Sequence, residues 1–165
     1  AKAYHIDPAK VGDALKNFQL THNRTEWVRG SAGELILSDV YNSNPTAAKE
    51  VLASFSQTEI KGSRFAVLGD MLELGEQSDL MHASLANYLD PKLIQDVYLV
   101  GTHMKALEQA LKAKYADDHI HWYTVEQENQ LVEDLKEKLT NQDEIVIKGS
   151  HGIHLEKVLS GLQNA

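Results

Sequence analysis

After residue 34 the chain alternates short apolar runs with longer helical patterns, and few folds accommodate that rhythm. The runs 35–39, 65–68, 97–100, 120–125 and 144–148 each lead into a helical stretch, at 46–55, 78–89, 104–115, 126–139 and 153–162. Repeated strand–helix pairs of this kind predict βαβ units on a mostly parallel sheet. Right-handed crossovers then place helices on both faces. A further short strand, Glu26-Trp27-Val28, precedes a Gly30-Ser31-Ala32-Gly33 turn. The expected fold is α/β: a three-layer, Rossmann-like, mostly parallel sheet of about six strands with helices on both faces.

In such sheets ligands bind where strands end. The first strand end carries Ser38-Asp39-Val40-Tyr41-Asn42-Ser43-Asn44-Pro45. Asn44 is a good N-cap, because its side chain accepts from free backbone N–H groups. Pro45 suits the first helical position, where its missing N–H costs nothing. A carboxylate and two amides therefore stand beside an open helix N-terminus, which attracts anions. The same residues also read as a well-capped turn.

The second strand end is Gly69-Asp70-Met71-Leu72-Glu73-Leu74-Gly75. Its carboxylates, Asp70 and Glu73, suit a substrate ammonium or a cation, or a solvent-facing loop with a helix cap. The third is Gly101-Thr102-His103. The last, Lys148-Gly149-Ser150-His151-Gly152, offers a cation, a hydroxyl and free N–H groups beside a helix start. It suits an oxyanion or phosphate, or a Gly-rich turn whose lysine points to water.

Composition removes several function classes. The 165 residues fit one domain with an extra element at one end, and the 42% apolar fraction can fill its core. No run of about 18 apolar residues occurs, so no membrane span is expected. No secretory leader is expected either, and the absence of cysteine rules out a disulfide framework and a thiol nucleophile. These features suit the cytoplasm. Asn23-Arg24-Thr25 matches a glycosylation acceptor, with nothing else to suggest secretion. A net charge of −8 disfavours nonspecific binding to nucleic acid.

His119 and His121 share a strand face, and His151 and His154 flank the last loop, but neither pair has a third ligand at metal spacing. His82, in the stretch after Ser78, reads as packed or solvated rather than as a base. The chain contains no Gly-x-x-x-x-Gly-Lys-Ser/Thr and no Gly-x-Gly-x-x-Gly. A nucleotide bound here would need its phosphates cradled elsewhere.

Four ordered strings, Asn23-Arg24-Thr25-Glu26, Asp39-Val40-Tyr41-Asn42-Ser43-Asn44-Pro45, Leu68-Gly69-Asp70-Met71-Leu72-Glu73-Leu74-Gly75 and Lys148-Gly149-Ser150, together resemble the C-terminal domain of the Mur ligases. The Tyr-Asn-x-Asn-Pro and Gly-Asp-Met-x-Glu-Leu-Gly strings are most similar to the branch that adds D-alanyl-D-alanine to UDP-N-acetylmuramoyl-tripeptide in peptidoglycan precursor synthesis. The resemblance covers residues 21–165. It implies that residues 1–20, a helical pattern opened by Asp7-Pro8 with Val11, Ala14, Leu15 and Phe18, are the tail helix and linker of a preceding central domain.

The resemblance implies a three-domain enzyme. The first domain holds the UDP-sugar. The central one carries the P-loop and the Mg2+ ligands, and the third closes over ATP and brings the amino substrate. ATP activates the peptide carboxylate as an acyl phosphate, which the amine attacks; charge stabilisation and positioning do most of such catalysis.

By the resemblance, Arg24 and Asp39 hold the ATP ribose, and Tyr41, Asn42 and Asn44 line the adenine and phosphate side. Asp70 and Glu73, with Ser150 and His151, face the dipeptide. Lys148 and Ser150 lie near the reacting groups. No metal site is expected in this chain. The implied partners are ATP, D-alanyl-D-alanine, UDP-N-acetylmuramoyl-tripeptide and the enzyme's own other two domains. His151 stands where the family usually has arginine. By itself such a chain is expected to be inactive. The alternative is a stand-alone, non-catalytic nucleotide- or peptide-binding α/β module.

Overall fold

A computed structural model describes residues 25–164. Arg24, the helix expected near residues 8–17 and the boundary near residue 20 lie outside the described residues.

The described residues form one six-stranded sheet in the order β1-β2-β6-β3-β4-β5. The strands are β1 (Glu26–Arg29), β2 (Leu35–Asp39), β3 (Arg64–Gly69), β4 (Asp96–Val100), β5 (Ile120–Tyr123) and β6 (Glu144–Lys148). Only the β1–β2 pair is antiparallel; β2–β6, β6–β3, β3–β4 and β4–β5 are parallel. The four inner strands are buried along nearly their whole length, which is why they read as unbroken apolar runs.

The helices are α1 (Pro45–Phe55), α2 (Ser78–Ser84), α3 (Met104–Leu111), α4 (Glu128–Lys138) and α5 (Glu156–Gln163). Strand residues alternate between two cores. Leu37, Ala66, Leu68, Leu99 and Val146 pack under α1, α3 and the turn after α2, through Leu52, Phe55, Leu85 and Leu107. Ile36, Phe65, Val67, Tyr98 and Ile147 face the other way, against Leu131 and Leu135 of α4 and Val158 and Leu162 of α5. The expected three-layer architecture is therefore the observed one.

Helix ends depart from the apolar periodicity where side chains compete for the backbone. The stretch 78–89 is α-helical only to Ser84 and then tightens into a 3-10 turn, Leu85–Tyr88. Ser84 Oγ donates to Met81 O at 2.7 Å, and Lys114 Nζ donates to Ala86 O and Leu89 O at 2.5 and 3.1 Å, so these carbonyls need no helical partner. β5 stops at Tyr123 because the Thr124 N–H turns to Gln127 Oε1 at 2.9 Å and opens the approach to α4. His154 adopts a left-handed φ of 61° and separates a short 3-10 turn, His151–Ile153, from α5.

At the amino end of β4, Asp96 is buried. Its Oδ1 accepts from Lys138 Nζ at 3.1 Å and lies 3.2 Å from His119 Nδ1 and 3.4 Å from His121 Nε2. The two histidines thus share a carboxylate. Burial alone would push the Asp96 carboxyl up, but His121, Lys138 and His119 together outweigh it and hold it near 2. The folded value lies below the ordinary 3.8, so the contribution is present above about pH 4 and is lost as the pH falls towards 2. Asp96→Asn is expected to destabilise the fold at pH 7 by about 1–2 kcal/mol after allowance for solvent screening. The difference from wild type should shrink between pH 4 and pH 2 in urea unfolding curves.

Candidate functional site

Chain connectivity decides where the crevice lies. β2 and β3 lead to α1 and α2, on one face of the sheet. β6 sits between them and leads to α5, on the other face. The loops after β6 and after its two neighbours therefore part at the carboxyl edge, which is the switch point where open α/β sheets bind ligands. Asp39, Asp70, Lys148 and Ser150 all come from these three strand ends.

Asp39 and Lys148 are the last residues of β2 and β6 and are register partners. Neighbouring strands lie about 4.8 Å apart, so paired positions put both side chains on one face within reach. Lys148 Nζ donates to Asp39 Oδ2 and to Asn42 O, each at 2.8 Å. The lysine is 1% exposed and the aspartate 8%. A buried ammonium is tolerated only with such partners. Lys148 does not point to water, as a plain Gly-rich turn would have it.

Ser150 joins the three loops. Its N–H donates to Asp70 O at 3.2 Å, its Oγ accepts from Leu72 N–H at 2.9 Å, and the hydroxyl reaches Ser43 O at 3.4 Å. Gly149 allows this approach: a Cβ there would stand 2.7 Å from Leu155 Cδ1 and 3.2 Å from Gly69 Cα.

Asp70 is turned inward. Its Oδ1 accepts from Met104 N–H at 2.9 Å and its Oδ2 from His103 N–H at 3.2 Å, so it caps the start of α3. It is 5% exposed, whereas Glu73 is exposed at the loop tip with a φ of 64°. Gly101 makes room for the cap. Its φ is 113°, and a Cβ on it would lie 2.4 Å from Asp70 Cγ.

Around the buried pair the rim is polar and aromatic. Tyr41, Asn42, Asn44 and His151 are exposed, and the Tyr41 and His151 rings lie 5.6 Å apart. Asn44 Oδ1 accepts from Ala47 N–H at 2.9 Å and caps α1, as its sequence position suggests. Asn42 serves the pair through its backbone carbonyl rather than its side chain.

His82 is the residue whose part the sequence conceals. It is fully buried; its Nδ1 lies 2.7 Å from Ser78 O, and its Nε2 accepts from Met71 N–H at 2.8 Å. The proton thus sits on Nδ1. Burial lowers its pKa, against the opposing pull of Ser78 and Asp70. The signal was its spacing, three, four and seven residues before the buried Leu85, Ala86 and Leu89.

The family described as Mur ligase, glutamate ligase domain, matches residues 23–151. The chain belongs to this family, as a Mur ligase C-terminal domain. It is 30% identical over 165 residues to the UDP-N-acetylmuramoyl-tripeptide–D-alanyl-D-alanine ligase of Escherichia coli, covering 96% of this chain and 33% of the relative. It is 28% identical over 159 residues to the ligase of the same name from Bacillus subtilis, covering 96% and 34%. The chain thus spans about a third of the length of these curated relatives.

Among solved structures, the fold matches a MurF ligase from Thermotoga maritima in complex with ADP, at a TM-score of 0.73 and 22% identity, over 94% of this chain and 35% of that one. It also matches a bifunctional folylpolyglutamate synthase/dihydrofolate synthase from Yersinia pestis complexed with AMPPNP and a Mn ion, at 0.62 and 20%, over 95% and 35%. At those identities the likeness concerns the fold.

Removing one member of the buried pair leaves the other uncompensated. Lys148→Ala is expected to cost about 3–5 kcal/mol in urea unfolding. A Lys148→Met, Asp39→Leu double variant should lose less than the two single losses added together, as expected of a coupled pair.

Proposed function

We propose that this chain is the ATP-closing, dipeptide-recruiting part of an ADP-forming ligase that joins D-alanyl-D-alanine to UDP-N-acetylmuramoyl-tripeptide. The observation that carries this reading is the buried Asp39–Lys148 pair at the switch point, tied through Ser150 to the loop after β3. Family membership and the names of the relatives support it.

The residues suit a nucleoside better than a triphosphate. A carboxylate has about four acceptor positions, and Lys148 takes one on Asp39, which leaves capacity for ribose hydroxyls. Tyr41, Asn42 and Asn44 stand exposed beside it for the base side, and Arg24 is the guanidinium proposed to donate alongside. Lys148 is already committed to Asp39 and Asn42, so its charge does not grip phosphate. Among the described residues no group of three or more His, Cys, Asp or Glu could hold a metal ion. The family resemblance assigns the phosphates and Mg2+ to the enzyme's central domain.

When bound, ATP supplies the phosphoryl group that activates the peptide carboxylate. This chain's residues orient and exclude water. Lys148 and Ser150 keep the loops after β2, β3 and β6 in one arrangement, and positioning of that kind is worth several kcal/mol of barrier. Asp70 holds the dipeptide loop from behind by capping α3, and Glu73 and His151 are the exposed groups proposed to meet the amine and the carboxylate of the dipeptide. No helix among the described residues is long and apolar enough to cross a membrane.

The test is an ADP-release assay on the full-length ligase, comparing D-alanyl-D-alanine with single amino acids. Turnover is expected with the dipeptide, and none from this chain alone. Asp39→Ala in the full-length enzyme should raise the KM for ATP about 10- to 100-fold, the loss of roughly 1.4–2.7 kcal/mol of binding. An unchanged KM for ATP in that variant refutes the ribose role.

A further inference from the structure

We infer that His82 is a positioning residue of the site: its unprotonated Nε2 clamps the Met71 amide and so holds Ser150 and the loop after β3 in their working arrangement. The inference builds on the proposed function only in naming what the loop serves.

The chain of contacts is continuous. Ser78 O receives the Nδ1 proton at 2.7 Å, which leaves the opposite ring nitrogen as an acceptor. That nitrogen takes the Met71 N–H at 2.8 Å. Met71 lies between two residues that grip Ser150: Asp70, whose carbonyl accepts from the Ser150 N–H, and Leu72, whose N–H donates to Ser150 Oγ. Ser150 in turn reaches Ser43 O, beside the Asn42 carbonyl held by Lys148. Fixing Met71 therefore fixes the loop after β3 against Ser150. The ring itself has no exposure. An apolar side chain of the same size would fill the space but could neither donate to Ser78 O nor accept the Met71 proton.

The clamp works in one protonation state. A proton on Nε2 would set donor against donor at Met71, and would favour Asp70 Oδ1, 4.0 Å away, over the loop amide. The charged and titratable groups around the ring are Asp70 from the loop after β3, His103 from the loop after β4 with its ring stacked 5.6 Å away, and Asp79 on the same helix, 2.7 Å from His103 Nδ1. The two carboxylates favour a proton and His103, when charged, opposes one, while burial opposes it most. The folded state thus prefers neutral His82, and its contribution weakens as the pH falls through about 6.5, where the unfolded histidine takes up a proton.

The experiment uses full-length ligase carrying His82→Phe or His82→Gln. Gln can place an acceptor near the Nε2 position; Phe cannot. The expected result for His82→Phe is a KM for D-alanyl-D-alanine raised at least tenfold with the KM for ATP within twofold, and an amide exchange rate at Leu72 at least tenfold faster while Leu68 and Val146 stay protected. His82→Gln should restore both readouts to within about threefold. Unchanged Leu72 exchange in His82→Phe overturns the inference. So does an equal loss in Phe and Gln, or, if Phe does not fold, a Gln variant with the dipeptide KM of a misplaced loop. If wild-type enzyme shows no turnover with the dipeptide, the proposed function fails, while the Leu72 exchange still decides the role of His82.

Discussion

A lysine ammonium buried at the end of a central strand governs the arrangement of the crevice. Taking such a charge out of water costs several kcal/mol unless close acceptors replace its hydration. Lys148 finds them in the Asp39 carboxylate across the β2–β6 ladder and in the Asn42 carbonyl three residues further on. To present that carbonyl, the chain after β2 must fold back over the end of β6 before α1 can begin at Pro45. The position of the rim residues Tyr41 and Asn44 follows from that return. A buried salt bridge is weak grounds for stability, and what Lys148 visibly does is tie the loop after β2 to the end of β6.

The remaining loops are ordered by the same logic of unmet backbone groups. The start of α3 leaves amides free, and Asp70 takes two of them from a strand away. The amide of Met71 is buried, and His82 takes it. Ser150 closes the circuit between the loops after β2, β3 and β6. Small residues make these approaches possible. At Gly149 a side chain would strike Leu155, and at Gly101 it would strike Asp70 itself. The crevice is consequently a set of strand ends locked to each other from below, with exposed aromatic and amide groups above.

Much of the fold was legible in the order of residues. Parallel strands buried on both faces must be apolar throughout, so 65–68, 97–100 and 144–148 were plain. The capping of α1 by Asn44 was local chemistry and needed no distant partner. Helix ends were less legible, because Lys114 and Ser84 decide where the helical bonding of 78–89 stops, and one of them is far along the chain. In the site, Asp39, Lys148 and Ser150 stood out as strand-end residues. Asp70 was readable as a carboxylate between glycines, but not as the cap of a helix that starts 34 residues later.

Sequence alone determined the layer architecture, the strand ends that carry polar groups, and the family resemblance of four separated strings, because each depends on residues close together in the chain. Tertiary structure decided which polar group serves which. The Asp39–Lys148 pair spans 109 residues, and the Leu72–Ser150 bond 78. Such pairings follow from the order in which strands enter the sheet. β6, the last strand made, lies between β2 and β3, and no local pattern records that insertion.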